Sequence, residues 1–208
     1  LEKSLRAKLE NTIKSAREIA EKAARAALEQ LGVEQSSPYP YLTESHRDLR
    51  RRLRAHGRQL GDVRNVTGEQ EITRLTEEVA YEHWHRMLFA RFLAENDLLM
   101  FFDGDSTDDG VLITQTECDE LASELGYDNG WELAARMATR MLPQIFRPDS
   151  PVFSLALPPE LQHDLEGLIA GISAEVFTAA DSLGWVYQFW QAKKKEEVNQ
   201  SEVKIGAR

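Results

Sequence analysis

Apolar residues recur every three or four positions along the first thirty residues, with charged residues between them. This spacing places the apolar side chains on one face of a long amphipathic helix over residues 1–31. Alanine dominates the second half of that face, and Gly32 follows as a C-terminal stop signal. The two prolines and two serines in residues 33–42 disfavour both helix and strand. The pattern therefore predicts one long helix followed by a connector.

Helix start signals divide the centre of the chain. An amphipathic helix is expected over residues 44–60, and the sequence Thr-Gly-Glu-Gln at 67–70 has the form of a capping box that opens a long central helix. A second capping box is expected at residues 114–117, and Asn129 is the expected cap of the helix after it. Each of these signals lies just before an apolar periodic segment.

The remaining segments are shorter. Residues 101–110 form an acidic loop, and the apolar runs at 99–102 and 111–113 are candidates for one brief strand pair. Prolines in residues 149–159 indicate a second connector. Further helices are expected near residues 160–172 and 180–198.

These elements predict an all-α protein, a multi-helix bundle of about seven helices with little or no sheet, in which two lobes joined by the connectors are expected. The expected divisions are the N-terminal helix (1–32), a connector (33–42), a central helical region (43–148), a second connector (149–159), C-terminal helices (160–198) and a linker towards a catalytic domain that this sequence lacks (199–208).

Composition narrows the class of protein. The 208 residues carry a net charge of −10, which argues against a dedicated nucleic-acid module because such modules are usually basic. The single cysteine, Cys118, excludes an internal disulfide and fits a reducing cytoplasm. Its neighbours Glu117 and Asp119 oppose thiolate formation, so a nucleophilic role is not expected. No apolar run is long enough to span a membrane, and no membrane partner is expected.

Three segments carry a resemblance to a known family. The first segment is residues 182–192, Ser-Leu-Gly-Trp-Val-Tyr-Gln-Phe-Trp-Gln-Ala. Three lysines follow it, and the sequence is mostly polar from there on. Residues 77–96 and the pair 130–136 and 141–146 are the second and third. Together they resemble large adenine-specific DNA methyltransferases of phage-defence and restriction–modification systems, the PglX-like branch of BREX-type and DISARM-type loci. The resemblance covers most of residues 43–208, and in that family the first segment lies just before the catalytic domain.

The motifs of the catalytic chemistry are missing from this sequence. Amino-methylating DNA enzymes hold the flipped base with an Asn/Asp-Pro-Pro-aromatic loop, whereas the one Pro-Pro pair here lies between Leu157 and Glu160. No Gly-x-Gly turn of a cofactor-binding motif occurs. We therefore expect no catalytic, cofactor-binding or metal-binding residues in this chain. The resemblance implies that the parent enzyme uses S-adenosylmethionine.

The strongest local candidate for binding is an arginine-rich stretch in the second helix. Helical spacing puts Arg47, Arg51, Arg54 and Arg58 on one face, opposite leucines at 49, 53 and 60. Guanidinium groups suit phosphate because two N–H bonds can form in parallel. The DNA-backbone candidates are therefore Arg47, Arg50, Arg51, Arg54 and Arg58, together with Lys193, Lys194 and Lys195. The alternative interpretation is a solvated face that pairs with the surplus acids.

The aromatic segment near the C-terminus has two interpretations. Trp185 and Phe189, like Val186 and Trp190, lie one helical turn apart. Such a stripe can stack on bases, but it is more typical of packing in a core or against another domain, which we favour.

Metal-site patterns in the chain are incomplete. The Glu-x-x-His pairs Glu82/His85 and Glu160/His163 have the spacing of di-iron helices but lack the further glutamates. Residues 103–110 carry part of a calcium-loop pattern, but the twelfth position counted from Asp105 is Thr116, where a bidentate glutamate is needed.

The sequence thus leads to a function by resemblance. It is expected to be the non-catalytic N-terminal helical region of an adenine-specific DNA methyltransferase, acting as scaffold, DNA-backbone contact or docking surface for other defence-system proteins. The alternative is a stand-alone helical protein–protein interaction module that uses its alanine-rich N-terminal helix as the partner face. A small DNA-binding regulator is disfavoured by the net charge and by the absence of a recognisable helix-turn-helix.

Overall fold

The computed structural model describes residues 2–104, 109–181 and 183–192. It confirms an all-α fold with one very small sheet. The helices are α1 (Lys3–Gln30), α2 (Glu44–Leu60), α3 (Thr73–Glu95), α4 (Gln115–Ala122), α5 (Gly130–Met141), α6 (Pro143–Phe146), α7 (Pro159–Ala170), α8 (Ala174–Thr178) and α9 (183–192), with a 3₁₀ helix at Pro151–Ser154.

The first two helices end where their glycines predict. Gly32 has a φ of 63° just after α1, and Gly61 closes α2 with a φ of 107° in the left-handed region. Thr43 caps the start of α2 by accepting a hydrogen bond from the backbone N–H of His46 at 3.3 Å. The alanine-rich face of α1 is buried and packs against α3 and α7, because small side chains allow helices to approach closely.

The start of α3 differs from the prediction. The capping box at residues 67–70 is wrong, because these residues form a turn in which Gly68 has a φ of 91° and Arg64 pairs with Gln70 in an isolated bridge. Helix α3 begins at Thr73, and Ile72 in the cap position makes no side-chain bond. Asp62 takes over from outside the helix, accepting hydrogen bonds from the backbone N–H groups of Arg74 (2.8 Å) and Leu75 (3.0 Å).

The other local signals in the centre are confirmed. Strands β1 (Met100–Phe101) and β2 (Val111–Leu112) pair antiparallel, with Met100 opposite Leu112. Thr114 and Glu117 form a reciprocal capping box at α4, and Asn129 caps α5 by accepting from the N–H of Glu132 at 2.9 Å. Residues 105–108 of the predicted acidic loop lie outside the described residues.

The C-terminal part contains more helix than predicted. The second connector includes the 3₁₀ helix, and two short helices, α6 and α8, were not predicted because four or five residues are too few to show a period. The helix expected over 180–198 is observed over 183–192, and its predicted continuation lies beyond the described residues.

Two groups of buried apolar side chains fill the interior. The first apolar cluster joins α1, α2, α3 as far as Leu88, α7, α8 and α9. The second apolar cluster joins Ala90 and Leu93 of α3 with the strand pair, α4, α5 and α6. Helix α3 contributes to both clusters, so the two lobes expected from the sequence share a continuous helix.

Candidate nucleic-acid interface

The arginines of α2 divide into two groups by burial. Arg50 and Arg54 are 5% and 7% exposed, whereas Arg51, Arg52 and Arg58 are exposed. The expectation that Arg54 faces outward is therefore wrong. A helical period shows which residues share a face, but it does not show which loop folds over that face.

Arg50 binds the connector that follows α1. Its Nε donates to the carbonyl oxygen of Gly32 at 2.8 Å, and its Nη2 donates to the carbonyl oxygen of Gln35 at 2.5 Å. Arg50 thus holds the connector against α2 and has fewer donors left for an external phosphate.

Arg54 joins the connector to the loop before α3. Its Nη1 donates to the carbonyl oxygens of Val33, at 2.5 Å, and Gln35. Its Nη2 donates to the carbonyl oxygen of Gly68 at 2.7 Å. Three backbone acceptors from two segments therefore converge on one side chain. The donors of Arg50 and Arg54 are used within the fold, so these two arginines are not suited to contact an external phosphate.

The buried arginines place positive charge inside this corner of the fold. Their acceptors are uncharged carbonyl groups, and neither arginine has a carboxylate within ion-pair distance among the described residues. Burial lowers the pKa of both from the usual 12.5, and for Arg54 the charges of Arg50, Arg64 and Arg58 lower it further.

Each of the three exposed arginines of α2 uses some of its N–H donors in contacts within the chain. Arg51 lies 3.0 Å from Asp48 and 3.5 Å from Glu44. Arg52 donates to the carbonyl oxygen of Asp149 at 3.0 Å, which ties α2 to the second connector. Arg58 donates to the side-chain oxygen of Gln70 at 3.0 Å.

Arg47 and Arg64 complete this surface. Arg47 is half-buried, and its Nε has no hydrogen-bond partner among the described residues. Arg64 was missed by the sequence analysis because it lies outside the helix; it is exposed in the loop that Arg54 holds. Residues 44–68 contain seven arginines and three acidic residues, so this surface is locally basic in an acidic chain.

The aromatic segment packs within the chain, as favoured. Trp190 is buried and stacks on Trp84 with ring centroids 4.2 Å apart. The guanidinium of Arg6 lies 3.7 Å from the centre of the Trp185 ring. One face of the Trp190 ring and one face of the Trp185 ring are therefore covered within the chain. Lys193, Lys194 and Lys195 lie outside the described residues.

The side chains of the metal-site patterns are engaged elsewhere or exposed. Glu82 accepts from Arg147 at 3.3 Å, and His85 stacks on Tyr81 with centroids 5.1 Å apart. Glu160 and His163 are exposed on α7. No group of three or more potential metal ligands occurs within 2–104, 109–181 and 183–192.

Cys118 is a buried thiol. Burial, and then the charges of Asp119 and Glu117, raise its pKa to about 12. The thiol is therefore protonated at neutral pH, which is unsuitable for a nucleophile.

None of the described helices combines the length and the apolar content that a membrane crossing needs. The arrangement as a whole offers an exposed arginine surface beside a loop held by buried arginines. No protein-family model, curated protein or solved structure matches this chain.

Proposed function

We propose that this chain is a non-catalytic helical region of an adenine-specific DNA methyltransferase in a cytoplasmic phage-defence or restriction–modification system. It serves there as a scaffold and contacts the DNA backbone through the exposed arginine surface of α2. The methyl donor, S-adenosylmethionine, is bound by another part of the parent enzyme, and other defence-system proteins are candidate partners.

One observation carries this proposal: the segments that resemble the family pack against one another around α3. Residues 77–96 cover most of α3, and residues 130–136 lie in α5, which packs along it. Residues 141–146 include α6, where Phe146 contacts Phe89 of α3 with centroids 5.7 Å apart. The segments are far apart in sequence but contact one another in the fold. This supports a resemblance to one structural region of the family rather than to unconnected short motifs.

Local charge supports the contact with DNA. Phosphate contacts position a protein on the duplex without reading its sequence, and they require exposed donors. Arg47, Arg51, Arg52, Arg58 and Arg64 remain at the surface after Arg50 and Arg54 are removed from the set.

The first test is methyl transfer by the whole polypeptide that contains this chain. Tritium from labelled S-adenosylmethionine is expected on the exocyclic amine of adenine in duplex DNA. A parent polypeptide without this activity would refute the methyltransferase assignment.

The second test concerns the arginine surface. In the whole enzyme, the double variant Arg51→Glu, Arg58→Glu is expected to weaken DNA binding. The slope of the logarithm of the binding constant against the logarithm of the salt concentration is expected to become shallower by about 0.9 for each phosphate that the protein no longer neutralises. Arg25→Glu is the control, because Arg25 is a half-exposed arginine of α1, 3.7 Å from Glu29, and changes the net charge equally per site. Equal slopes in the control and the double variant would refute the DNA contact.

The alternative function, a helical interaction module, was expected to use the N-terminal helix as its partner face. The fold requires a different surface for that function. Leu9 and Ile13 of α1 are buried within the chain, so the N-terminal helix does not offer its apolar face to a partner. The strand pair does expose apolar side chains, at Val111 and Leu112. If this face binds a second copy, light scattering will show self-association that Leu112→Asp abolishes; a monomer at all concentrations would argue against that form of the alternative.

A further inference from the structure

A cavity of about 220 Å³ lies between α3, α5, α7 and the segment that follows the 3₁₀ helix. Its walls combine two aromatic side chains, Trp131 and Phe153, with charged groups of both signs. The volume is below the ~300–1,000 Å³ that is usual for drug-sized ligands, so an occupant must be small.

The cation in this cavity is Arg86 of α3. Its guanidinium lies 4.5 Å from the centre of the Phe153 ring, and its buried Nε has no hydrogen-bond partner. No ion pair of Arg86 occurs among the described residues. Burial lowers the pKa of Arg86 to about 10, which leaves the side chain charged at neutral pH. A buried guanidinium nitrogen without an acceptor is costly, because the desolvation of the Nε of Arg86 is not offset by a hydrogen bond.

The anion is Glu166 of α7, which is 7% exposed. Its Oε1 accepts from the amide nitrogens of Gln162 at 3.0 Å and Asn129 at 3.4 Å. Both partners are uncharged, and within the described part of the chain no cationic side chain lies within ion-pair distance of Glu166. The cavity therefore holds a half-buried cation and a buried anion that form no ion pair with each other.

His83 adds a neutral polar group to the same wall. It is buried, and its Nε2–H donates to the carbonyl oxygen of Val152 at 3.1 Å, since a carbonyl can only accept. The Nδ1 atom of this tautomer then carries a lone pair. Two exposed carboxylates, Asp128 and Glu132, also line the cavity, and the charge of Glu132 raises the pKa of Arg86 against the larger, lowering effect of burial.

We propose that this cavity is a binding site for a small zwitterion of amino-acid size. The ligand's carboxylate pairs with Arg86, and its ammonium group pairs with Glu166. Trp131 and Phe153 flank the uncharged part of the ligand. A ligand with one charge leaves the other buried group unpaired, and a purely apolar ligand leaves both unpaired, so neither removes the desolvation cost.

The experiment uses isothermal titration calorimetry of the whole chain against the common L-amino acids, one at a time. We expect one or more of them to bind with a stoichiometry of one. Blocking either charge of the bound amino acid, as its primary amide or its N-acetyl derivative, is expected to abolish binding. Arg86→Met and Glu166→Gln are each expected to weaken binding by at least about 30-fold, as for loss of one partner of a buried charge pair.

Arg91→Gln is the matched control, because Arg91 lies on the same helix, pairs with Glu95 at 2.5 Å and does not line the cavity. Circular dichroism establishes that each variant is folded, and Arg86→Gln, which is polar but uncharged, replaces Arg86→Met if the latter is not. The proposal is overturned if no amino acid binds, if binding is unchanged in both cavity variants, or if a singly charged derivative binds as well as the parent amino acid.

Discussion

At the scale of single residues, burial changes what an arginine can do. Arginine carries five N–H donors in a fixed fork, so one side chain can satisfy several carbonyl oxygens that a loop cannot pair by itself. Arg54 does this for Val33, Gln35 and Gly68. The same residue type one turn away, at Arg51, is exposed, and within the described part of the chain it bonds to side chains of its own helix.

This difference predicts unequal effects of truncation. Arg54→Ala leaves three backbone acceptors without their donor and is expected to lower the free energy of unfolding by about 3 kcal/mol. Arg51→Ala, the matched control, is expected to lower it by less than about 1 kcal/mol, since exposed ion pairs contribute little. Urea titration followed by circular dichroism measures both. Equal losses of unfolding free energy would show that the buried hydrogen bonds of Arg54 add nothing to the effect of replacing an arginine with alanine in this helix.

His83 predicts how stability depends on pH. Burial, and then the charge of Arg86, lower its pKa to about 4, against 6.5 for an exposed histidine. As the pH falls below 6.5, the unfolded chain binds a proton at this histidine. The folded chain does not bind that proton until the pH falls to about 4. The stability contribution is complete above pH 6.5 and is lost as the pH falls towards 4, by as much as about 3 kcal/mol.

A histidine-specific measurement isolates this effect. His83→Gln keeps an N–H donor near Val152 but cannot gain a proton, so its unfolding free energy is expected to fall less between pH 7 and 4 than that of the unchanged protein. His46→Gln, at an exposed position, serves as the control and is expected to follow the unchanged protein. Parallel curves for all three proteins would contradict a buried neutral His83.

At the scale of elements, the start of α3 separates a local signal from a tertiary one. Asp62 satisfies two of the N–H groups that a helix leaves free at its first turn, although it lies about ten residues before the helix. Thr67, the residue with the expected cap sequence, bonds instead to Asn65 and Glu69 within the turn.

Substitutions at Asp62 and Thr67 are therefore expected to change the free energy of unfolding by different amounts. Asp62→Ala is expected to lower the free energy of unfolding by about 1–2 kcal/mol, as for loss of a helix cap. Thr67→Ala is expected to change it by less than about 0.5 kcal/mol, because its bonds are exposed. Denaturant unfolding compares them directly. A larger loss for Thr67→Ala than for Asp62→Ala would indicate that Thr67, and not Asp62, caps the start of α3.

The elements also show what a single sequence can and cannot predict. The end of α1 at Gly32, the cap at Asn129 and the strand pair were predictable, because each depends on neighbours within a few residues. The burial of Arg54 and the role of Asp62 depend on partners ten or more residues away. Periodicity contains no information about such partners, and the opposed charges of Arg86 and Glu166 line one cavity only in the folded chain.

At the scale of the whole molecule, α3 decides whether the protein unfolds as one unit. The first and second apolar clusters use different helices, but α3 supplies buried side chains to both, up to Leu88 in the first and from Ala90 in the second. A helix that is packed along its whole length cannot be released from one cluster without weakening its hold on the other, because its hydrogen bonds form cooperatively. We therefore expect a single transition rather than the separate transitions of independent lobes.

Tryptophan fluorescence of a Trp131→Phe variant tests this expectation, because Trp131 lies on α5 whereas Trp84, Trp185 and Trp190 belong to or pack against the first apolar cluster. Leu133→Ala removes a fully buried side chain from the second apolar cluster and is expected to cost about 2–5 kcal/mol. If unfolding is cooperative, this variant lowers the fluorescence midpoint as much as the far-ultraviolet circular dichroism midpoint. Leu112→Ala, at an exposed leucine beside the same cluster, should change neither. A fluorescence midpoint that stays fixed while the dichroism midpoint falls would mean that the two clusters unfold independently despite the shared helix.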